Sequence, residues 1–274
     1  MVSKTNSILL WIFAVVFTVS TAIYQRVTGP THPKRVNISI KGESYTFKLL
    51  RSHGGESDAE IELEMPENFQ GVVSYKRYKI DEDWTEVPMI NNGEKSMASL
   101  PQQPPAGKLE YIVTINDGLD DYQLNEEPVV IRFKGEVASY ILIPHIFFMF
   151  MAMLFSLRTG LEALFGGERT LKYARNTLIA LTVGGLILGP IVQLMAFGDL
   201  WTGWPFGGDW TDNKTIVGWL FWAIAYLVLR KRPMNKLWPI LAFLVLFAMY
   251  MIPHSMGGSE FDYEKGKVET GIQE

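Results

Sequence analysis

The stretch TLIALTVGGLILGPIVQLMAF, residues 177–197, contains no charged side chain. A helix needs roughly 20 apolar residues to cross a bilayer core of about 30 Å, so this stretch predicts a membrane span. Four more apolar runs lie at 8–24, 138–157, 215–229 and 237–253. Together they predict an α-helical membrane bundle of five spans, in which flanking tryptophans complete the short fourth run.

The polar region between the first two apolar runs has a different character. Residues 35–136 contain alternating runs such as VNISI, SYTFKLL and KLEYIVTI, separated by Gly, Pro, Asn and Asp. Several short alternating strands predict an all-β sandwich inserted in the bundle. The stretch AGKLEYIVTINDG resembles a late strand of immunoglobulin-like or fibronectin type III sandwiches. That resemblance implies that Tyr111 packs at a corner of the domain.

These patterns divide the chain into four parts: an N-terminal segment at 1–25, a β-sandwich at 35–136, a four-helix membrane bundle at 137–256 and a polar tail at 257–274. The first segment is either a retained anchor or a cleaved signal peptide, with Ser20 and Ala22 as its small residues. Bulky residues such as Trp11 favour the anchor.

Orientation follows from the basic residues of the short connections. The 158–176 and 230–236 connections each carry four Lys or Arg residues, whereas 198–214 carries only Lys214. Because positive connections remain in the cytoplasm, the β-sandwich and the C-terminal tail are predicted to lie outside. The arrangement is typical of a bacterial inner-membrane protein whose N-terminus is cytoplasmic and whose sandwich and tail are periplasmic.

Composition excludes several functions. The chain has no cysteine, which removes disulfides, thiolate catalysis, iron–sulfur clusters and covalent haem attachment through cysteine. Its net charge is −4 and it has no long basic run, so nucleic acid is not an expected partner. The sequence also lacks a phosphate-binding loop, a nucleophile elbow and a zinc-protease helix, and no catalytic residue is predicted.

Two histidines and one loop are predicted to meet at the outer face. Ile-Pro-His occurs at 143–145 and again at 252–254, near the outer ends of the second and fifth runs. FGDLWTGWPFGGDWTDNKT (197–215), called here the aromatic stretch, joins the third and fourth runs on the same side. Ionisable residues at membrane depth are functional candidates, and two facing imidazoles are suited to bind a haem.

The aromatic stretch and the following GWLFWAIAYLVLRKR resemble the tryptophan-rich loop of the haem-handling membrane proteins of cytochrome c maturation. The matching residue types are Trp201, Trp204, Asp209 and Trp210, with His145 and His254 as the flanking histidines. The resemblance implies a haem b whose axial ligands are His145 and His254, lined by Trp201, Trp204 and Trp210. The family's Trp-x-Trp-Asp-Pro order is interrupted here by residues 205–208.

Other interpretations of the same residues stay open. A copper or other transition-metal ion is an alternative to haem, with ligands drawn from His145, His254, Asp209, Asp212 and Glu260. The tryptophans are equally typical of an interfacial belt, which needs no cofactor. Asp212 or Asn213 is also a suitable N-cap for the following helix.

The sequence therefore predicts an integral membrane protein in contact with lipid, with a haem or metal site at its outer face. That site would serve electron transfer or cofactor handling for proteins outside the membrane, and the family resemblance implies cytochrome biogenesis. The alternative is a non-enzymatic assembly or scaffold subunit. Such a subunit would dock an extracytoplasmic or membrane protein through its sandwich and aromatic stretch.

Overall fold

The computed structural model describes residues 3–93, 95–253 and 258–270. The chain divides into two compact units. A helical unit contains Met1–Gly29, Val137–Gly258 and Thr270–Glu274, and a β unit contains Pro30–Glu136 together with Ser259–Glu269. The segment predicted as a separate tail thus supplies eleven residues to the β unit.

The β unit is built from thirteen short strands in the described part of the chain. They are β1 (Lys34–Ile40), β2 (Glu43–Leu49), β3 (Ser52–Gly54), β4 (Ala59–Leu63), β5 (Gln70–Arg77), β6 (Thr85–Pro88), β7 (Ile90–Asn91), β8 (Ser96–Leu100), β9 (Lys108–Asn116), β10 (Asp121–Gln123), β11 (Val129–Lys134), β12 (Glu260–Asp262) and β13 (Lys267–Glu269).

The strands form four separate sheets. The largest has the order β3-β11-β9-β5-β6, with β10 also paired to β9, and its β3–β11 pair is parallel. A second sheet has the order β4-β8-β7, while β1–β2 and β12–β13 are antiparallel hairpins. The hairpin β12–β13 belongs to the C-terminal segment.

One hydrophobic core joins β1, β2 and the two larger sheets. Along β9 every second residue is buried, which is the two-residue period expected of a strand with one face on a core. Core side chains include Phe47, Ile61 and Val113. Tyr111 is fully buried, and its hydroxyl donates a hydrogen bond to the Leu50 carbonyl at 2.8 Å. The immunoglobulin-like resemblance stays a prediction.

An acidic turn links β9 to β10. The side chain of Asp117 is inaccessible to solvent, and its Oδ1 accepts hydrogen bonds from the backbone N–H groups of Leu119 and Asp120, both at 2.9 Å. Lys41 approaches Oδ2 at 3.3 Å. The Asp120 N–H is the main cause that lowers the pKa of Asp117 to about 2, with further contributions from Leu119 and Lys41.

We expect Asp117→Asn to lower the melting temperature of the full-length protein in detergent at pH 6–7. A depressed folded-state pKa contributes stability above the unfolded pKa of 3.8, and this contribution disappears as pH falls towards about 2. The difference between wild type and variant should therefore shrink below pH 4. A difference that grew on acidification would contradict the assignment.

The helical unit contains six α-helices and one π-helical segment in the described residues. They are α1 (Lys4–Thr28), α2 (Ser139–Leu164), α3 (Thr170–Leu181), a π segment (Thr182–Leu188), α4 (Gly189–Phe197), α5 (Trp210–Lys231) and α6 (Leu237–Met251). The run from α3 through the π segment to α4 is continuous.

The predicted five-span bundle is wrong. Among the described residues, three helices are long and apolar enough to cross a membrane: Lys4–Thr28, Ser139–Leu164 and Thr170–Phe197. Helix α6 has 15 residues, or about 22 Å at 1.5 Å per residue, which is short of a 30 Å core. Helix α5 has 22 residues but carries charged residues in its first and last turns.

A buried arginine on α2 contacts α1 and α3. Arg158 on α2 is fully buried, and its Nη1 lies 2.5 Å from Glu162 Oε2. The guanidinium lies 5.4 Å from the ring centroid of Trp11 and 4.9 Å from that of Tyr173. It also donates to the Ser7 hydroxyl at 3.3 Å. One cation thereby holds α1, α2 and α3 together.

We expect Arg158→Ala to destabilise the helical unit by roughly 3–5 kcal/mol, because it leaves the Glu162 carboxylate buried without its partner. Arg158→Lys is the matched control. It keeps the charge but loses the planar group that contacts two rings, so its effect should be smaller. Thermal unfolding in detergent measures both, and hydrogen exchange of α1 reports its release. Unchanged exchange in Arg158→Ala would contradict this role.

Candidate functional site

Asp212, in the first turn of α5, organises the aromatic stretch. Its side chain is buried, and Oδ2 accepts hydrogen bonds from the backbone N–H groups of Thr202 at 2.7 Å and Gly203 at 3.0 Å. Asn213 continues this pattern, because its Oδ1 accepts from the Trp204 N–H at 2.6 Å. Three consecutive backbone donors are thus bound by two consecutive side chains. The backbone at 202–204 has a fixed conformation.

Close packing reinforces this arrangement. A Cβ atom on Gly203 would lie 2.5 Å from the Cβ of Asp212, so only glycine fits against α5 at this position. On the other side, Gln193 of α4 donates to the Thr202 hydroxyl. Gln193 is a polar residue on an otherwise apolar helix, and this contact satisfies its amide.

The helix cap differs from the prediction. Asp209, rather than Asp212 or Asn213, is the N-cap of α5, and its carboxylate accepts from the Thr211 N–H at 2.7 Å. Asp209 is itself buried. An acidic N-cap is favourable because the helix N-terminus carries unsatisfied N–H groups and a partial positive charge.

The aromatic side chains point outward from this fixed backbone. Trp204 is 70% exposed and Phe206 is 82% exposed, and Trp210 is exposed as well. Trp201 is half-buried, and its indole N–H donates to the Trp204 carbonyl at 3.1 Å. The described tryptophans of the stretch therefore present an apolar surface and do not enclose a slot within the helical unit.

Two side chains satisfy carbonyl groups at the end of α6. Lys214 of α5 is buried and its ammonium donates to the Ile252 carbonyl at 3.1 Å. Gln25 of α1 donates to the Tyr250 carbonyl at 2.8 Å. The last carbonyls of a helix lack intrahelical donors and favour a nearby cation. These contacts attach the end of α6 to α1 and α5.

His145 lies against the π segment. Its Nδ1 is 2.9 Å from the Gly184 carbonyl, which also accepts from the Gly189 N–H. Since a carbonyl can only accept, Nδ1 carries the proton, and Nε2 of the neutral ring has a lone pair. A backbone carbonyl that orients an imidazole in this way is common behind metal-bound histidines. π segments occur frequently at functional sites.

The predicted ligand residues are not brought together as one set. His145 and the aspartates Asp209 and Asp212 belong to the helical unit, whereas Glu260 belongs to the β unit and pairs with lysines there. His254 lies outside the described residues. In the described part of the chain, no group of three or more His, Asp or Glu residues could hold a metal ion.

Some functional residues were not predicted. The sequence predicts no hydrogen bond for Lys214, although a lysine at the start of an apolar run needs an acceptor within the protein. The π segment was not anticipated either. Its signal in the sequence is Gly184-Gly185 followed by Gly189-Pro190, a combination that disfavours a regular helix.

No protein-family model, curated protein or solved structure matches the chain.

We expect Asp212→Ala to loosen the aromatic stretch, because the N–H groups of Thr202 and Gly203 lose their acceptor. Loss of a buried acceptor costs about 1–3 kcal/mol per unsatisfied group. Hydrogen exchange at 198–209 should rise in Asp212→Ala and rise less in Asp212→Asn, which keeps one acceptor oxygen. Equal protection in wild type and both variants would show that the carboxylate does not hold the loop.

Proposed function

We propose that this protein is a non-enzymatic membrane-anchored assembly subunit. It docks a partner protein through the aromatic stretch, on the side of the membrane that holds its β unit. The observation that carries the proposal is the pair of exposed rings, Trp204 and Phe206, on a backbone fixed by Asp212 and Asn213.

Chain order supports a common side for the β unit and the aromatic stretch. The β unit follows α1, and the aromatic stretch follows the third helix of sufficient length, Thr170–Phe197. If α2 and Thr170–Phe197 each cross the membrane once, two crossings separate the β unit from the aromatic stretch. Both would then be on the same side of the membrane. The connection between α2 and α3 then lies on the opposite side, and the nearby Arg169, Lys172 and Arg175 favour the cytoplasm for it.

A fixed backbone distinguishes docking from simple membrane anchoring. An interfacial belt needs tryptophans at the correct depth and tolerates a mobile loop. Here two side chains are used to bind three backbone N–H groups, one of them a buried carboxylate. Such preorganisation lowers the entropy lost on binding, and aromatic residues are the commonest energetic centres of protein interfaces.

Site-specific cross-linking tests this function. Because the chain has no cysteine, Phe206→Cys gives a single attachment point for a photoreactive maleimide in native membranes. We expect a discrete protein adduct, abolished by adding Trp204→Ala. The control is Leu220→Cys, an exposed apolar position on α5, which should give lipid adducts. Lipid adducts alone at both positions would refute docking and leave the interfacial belt.

A second candidate is the haem site, and the orientation of His145 favours it. The lone pair on Nε2 is the ligand that haem iron takes from a histidine. The exposed positions of Trp204 and Trp210 weigh against an enclosed haem slot. In this candidate His145 and His254 would hold the haem, and the tryptophans of the aromatic stretch would supply an apolar surface for it.

The visible spectrum of the purified protein decides this second candidate. Protein from haem-replete cells should show a Soret band that is lost in His145→Ala and in His254→Ala. Trp84→Ala, a change in the β unit, is the control and should leave the band unchanged. A colourless, metal-free wild type would refute the haem candidate without affecting the docking proposal.

A further inference from the structure

The C-terminal segment Ser259–Glu269, called here the strap, lies on one face of the β unit. The Phe261 N–H donates to the Ala106 carbonyl at 3.1 Å. Arg132 donates to the Ser259 carbonyl at 2.6 Å, and both of these residues are buried. Two main-chain groups of the strap are thus bound by residues that lie more than 120 positions earlier in the chain.

Charge complementarity sets the orientation of the strap. Glu260 accepts from the ammonium of Lys108 and lies 3.3 Å from that of Lys79. Burial alone would raise the pKa of Glu260, but the two lysines outweigh this and lower it. A carboxylate held between two cations is recognised by charge as well as by shape.

Tyr263 provides the second anchor. Its hydroxyl accepts from the Lys108 N–H at 2.9 Å and lies 3.0 Å from the Gln103 side-chain oxygen. The Arg77 guanidinium lies 5.5 Å from the Tyr263 ring centroid. A Cβ on Gly107 would lie 3.1 Å from the same hydroxyl, so a small residue leaves room for it.

The strap is attached to the β unit without being part of its core. The core cluster draws its members from residues 40–133 and takes none from the described strap residues. Strands β12 and β13 pair with each other, and neither joins a larger sheet among the described strands. Phe261 and Tyr263 are half-buried, whereas the core residue Leu109 of β9 is fully buried. The face therefore has the character of an occupied binding site.

We propose that the face formed by Lys79, Gln103, Ala106–Lys108 and Arg132 is a recognition site for acidic–aromatic peptide segments of the pattern Ser-Glu-Phe-Asp-Tyr. The strap is its resident occupant, and a partner segment of the same chemistry displaces it. This site contains no residue of the aromatic stretch. The proposal does not depend on whether that stretch docks a protein.

The test uses the full-length protein in detergent and a variant that ends at residue 258. The probe is a labelled synthetic peptide with the sequence of residues 258–269, followed by fluorescence anisotropy. We expect the shortened variant to retain slow hydrogen exchange in β5, β9 and β11 and to bind the peptide at micromolar concentration. Wild type should bind it at least tenfold more weakly, because its own strap competes.

Reversing the charges of Glu260 and Lys108 tests whether the peptide binds with Glu260 next to Lys108, as the strap does. Glu260→Lys in the peptide should weaken binding to the shortened variant by about fivefold or more, on the scale of a partly buried ion pair. Lys108→Glu in the protein should restore binding of that altered peptide. Lys265→Ala in the peptide is the control, since Lys265 pairs only within the described strap, and it should bind like the parent peptide.

Two results would overturn the proposal. The first is loss of protection across β5, β9 and β11 when the strap is removed, because the strap would then be a structural part of the domain. The second is a folded shortened variant that does not bind the peptide. Full-length Lys108→Glu is an independent check, because it weakens strap binding without removing the segment. It should bind the Glu260→Lys peptide better than wild type does.

Discussion

A polar group inside an apolar helical unit has to find its partner within the protein, and this constraint decides the arrangement of the helices. Arg158 satisfies it by pairing with Glu162 and by contacting rings from α1 and α3. Lys214 satisfies it at the end of α6. Arg158 thereby connects α2 with α1 and α3, and Lys214 connects α5 with the end of α6, so these polar side chains help to specify which apolar surfaces meet. Apolar packing alone is less selective, because lipid is as good a neighbour as another helix.

Much of the secondary structure could be predicted from periodicity. The alternation in KLEYIVTI coincides with β9, the apolar run at 8–24 lies within α1, and the run at 138–157 begins one residue before α2. The number of spans could not be predicted in the same way. The runs at 215–229 and 237–253 are apolar, but hydrophobicity does not reveal where a helix ends, and α6 stops at Met251. The fourth run is indeed extended, since α5 begins at Trp210, but the added residues include the charged Asp212 and Lys214.

The contacts of the candidate site could be predicted less well than the secondary structure. The sequence shows that tryptophans lie near a helix end. It does not show that their side chains are exposed on a backbone held by hydrogen bonds. That property depends on Asp212 accepting from Thr202 and Gly203, ten and nine residues earlier. A carboxylate at the start of a helix is normally read as a cap, and Asp209 already fills that position. Likewise, the strap depends on pairs such as Lys108 and Glu260, 152 residues apart, for which the sequence contains no local signal.

The aromatic stretch and the strap site depend on the same kind of interaction. In each, a carboxylate is withdrawn from solvent and held by donors of the protein: backbone N–H groups for Asp212, lysine ammonium groups for Glu260. The consequences differ because the donors differ. Backbone donors close to the carboxylate in sequence fix a loop permanently, since releasing it would leave them buried and unsatisfied. Lysine ammonium groups are hydrated again when the carboxylate leaves. A different carboxylate can therefore take the place of Glu260. The first arrangement suits a permanent docking surface, and the second suits a site whose occupant changes.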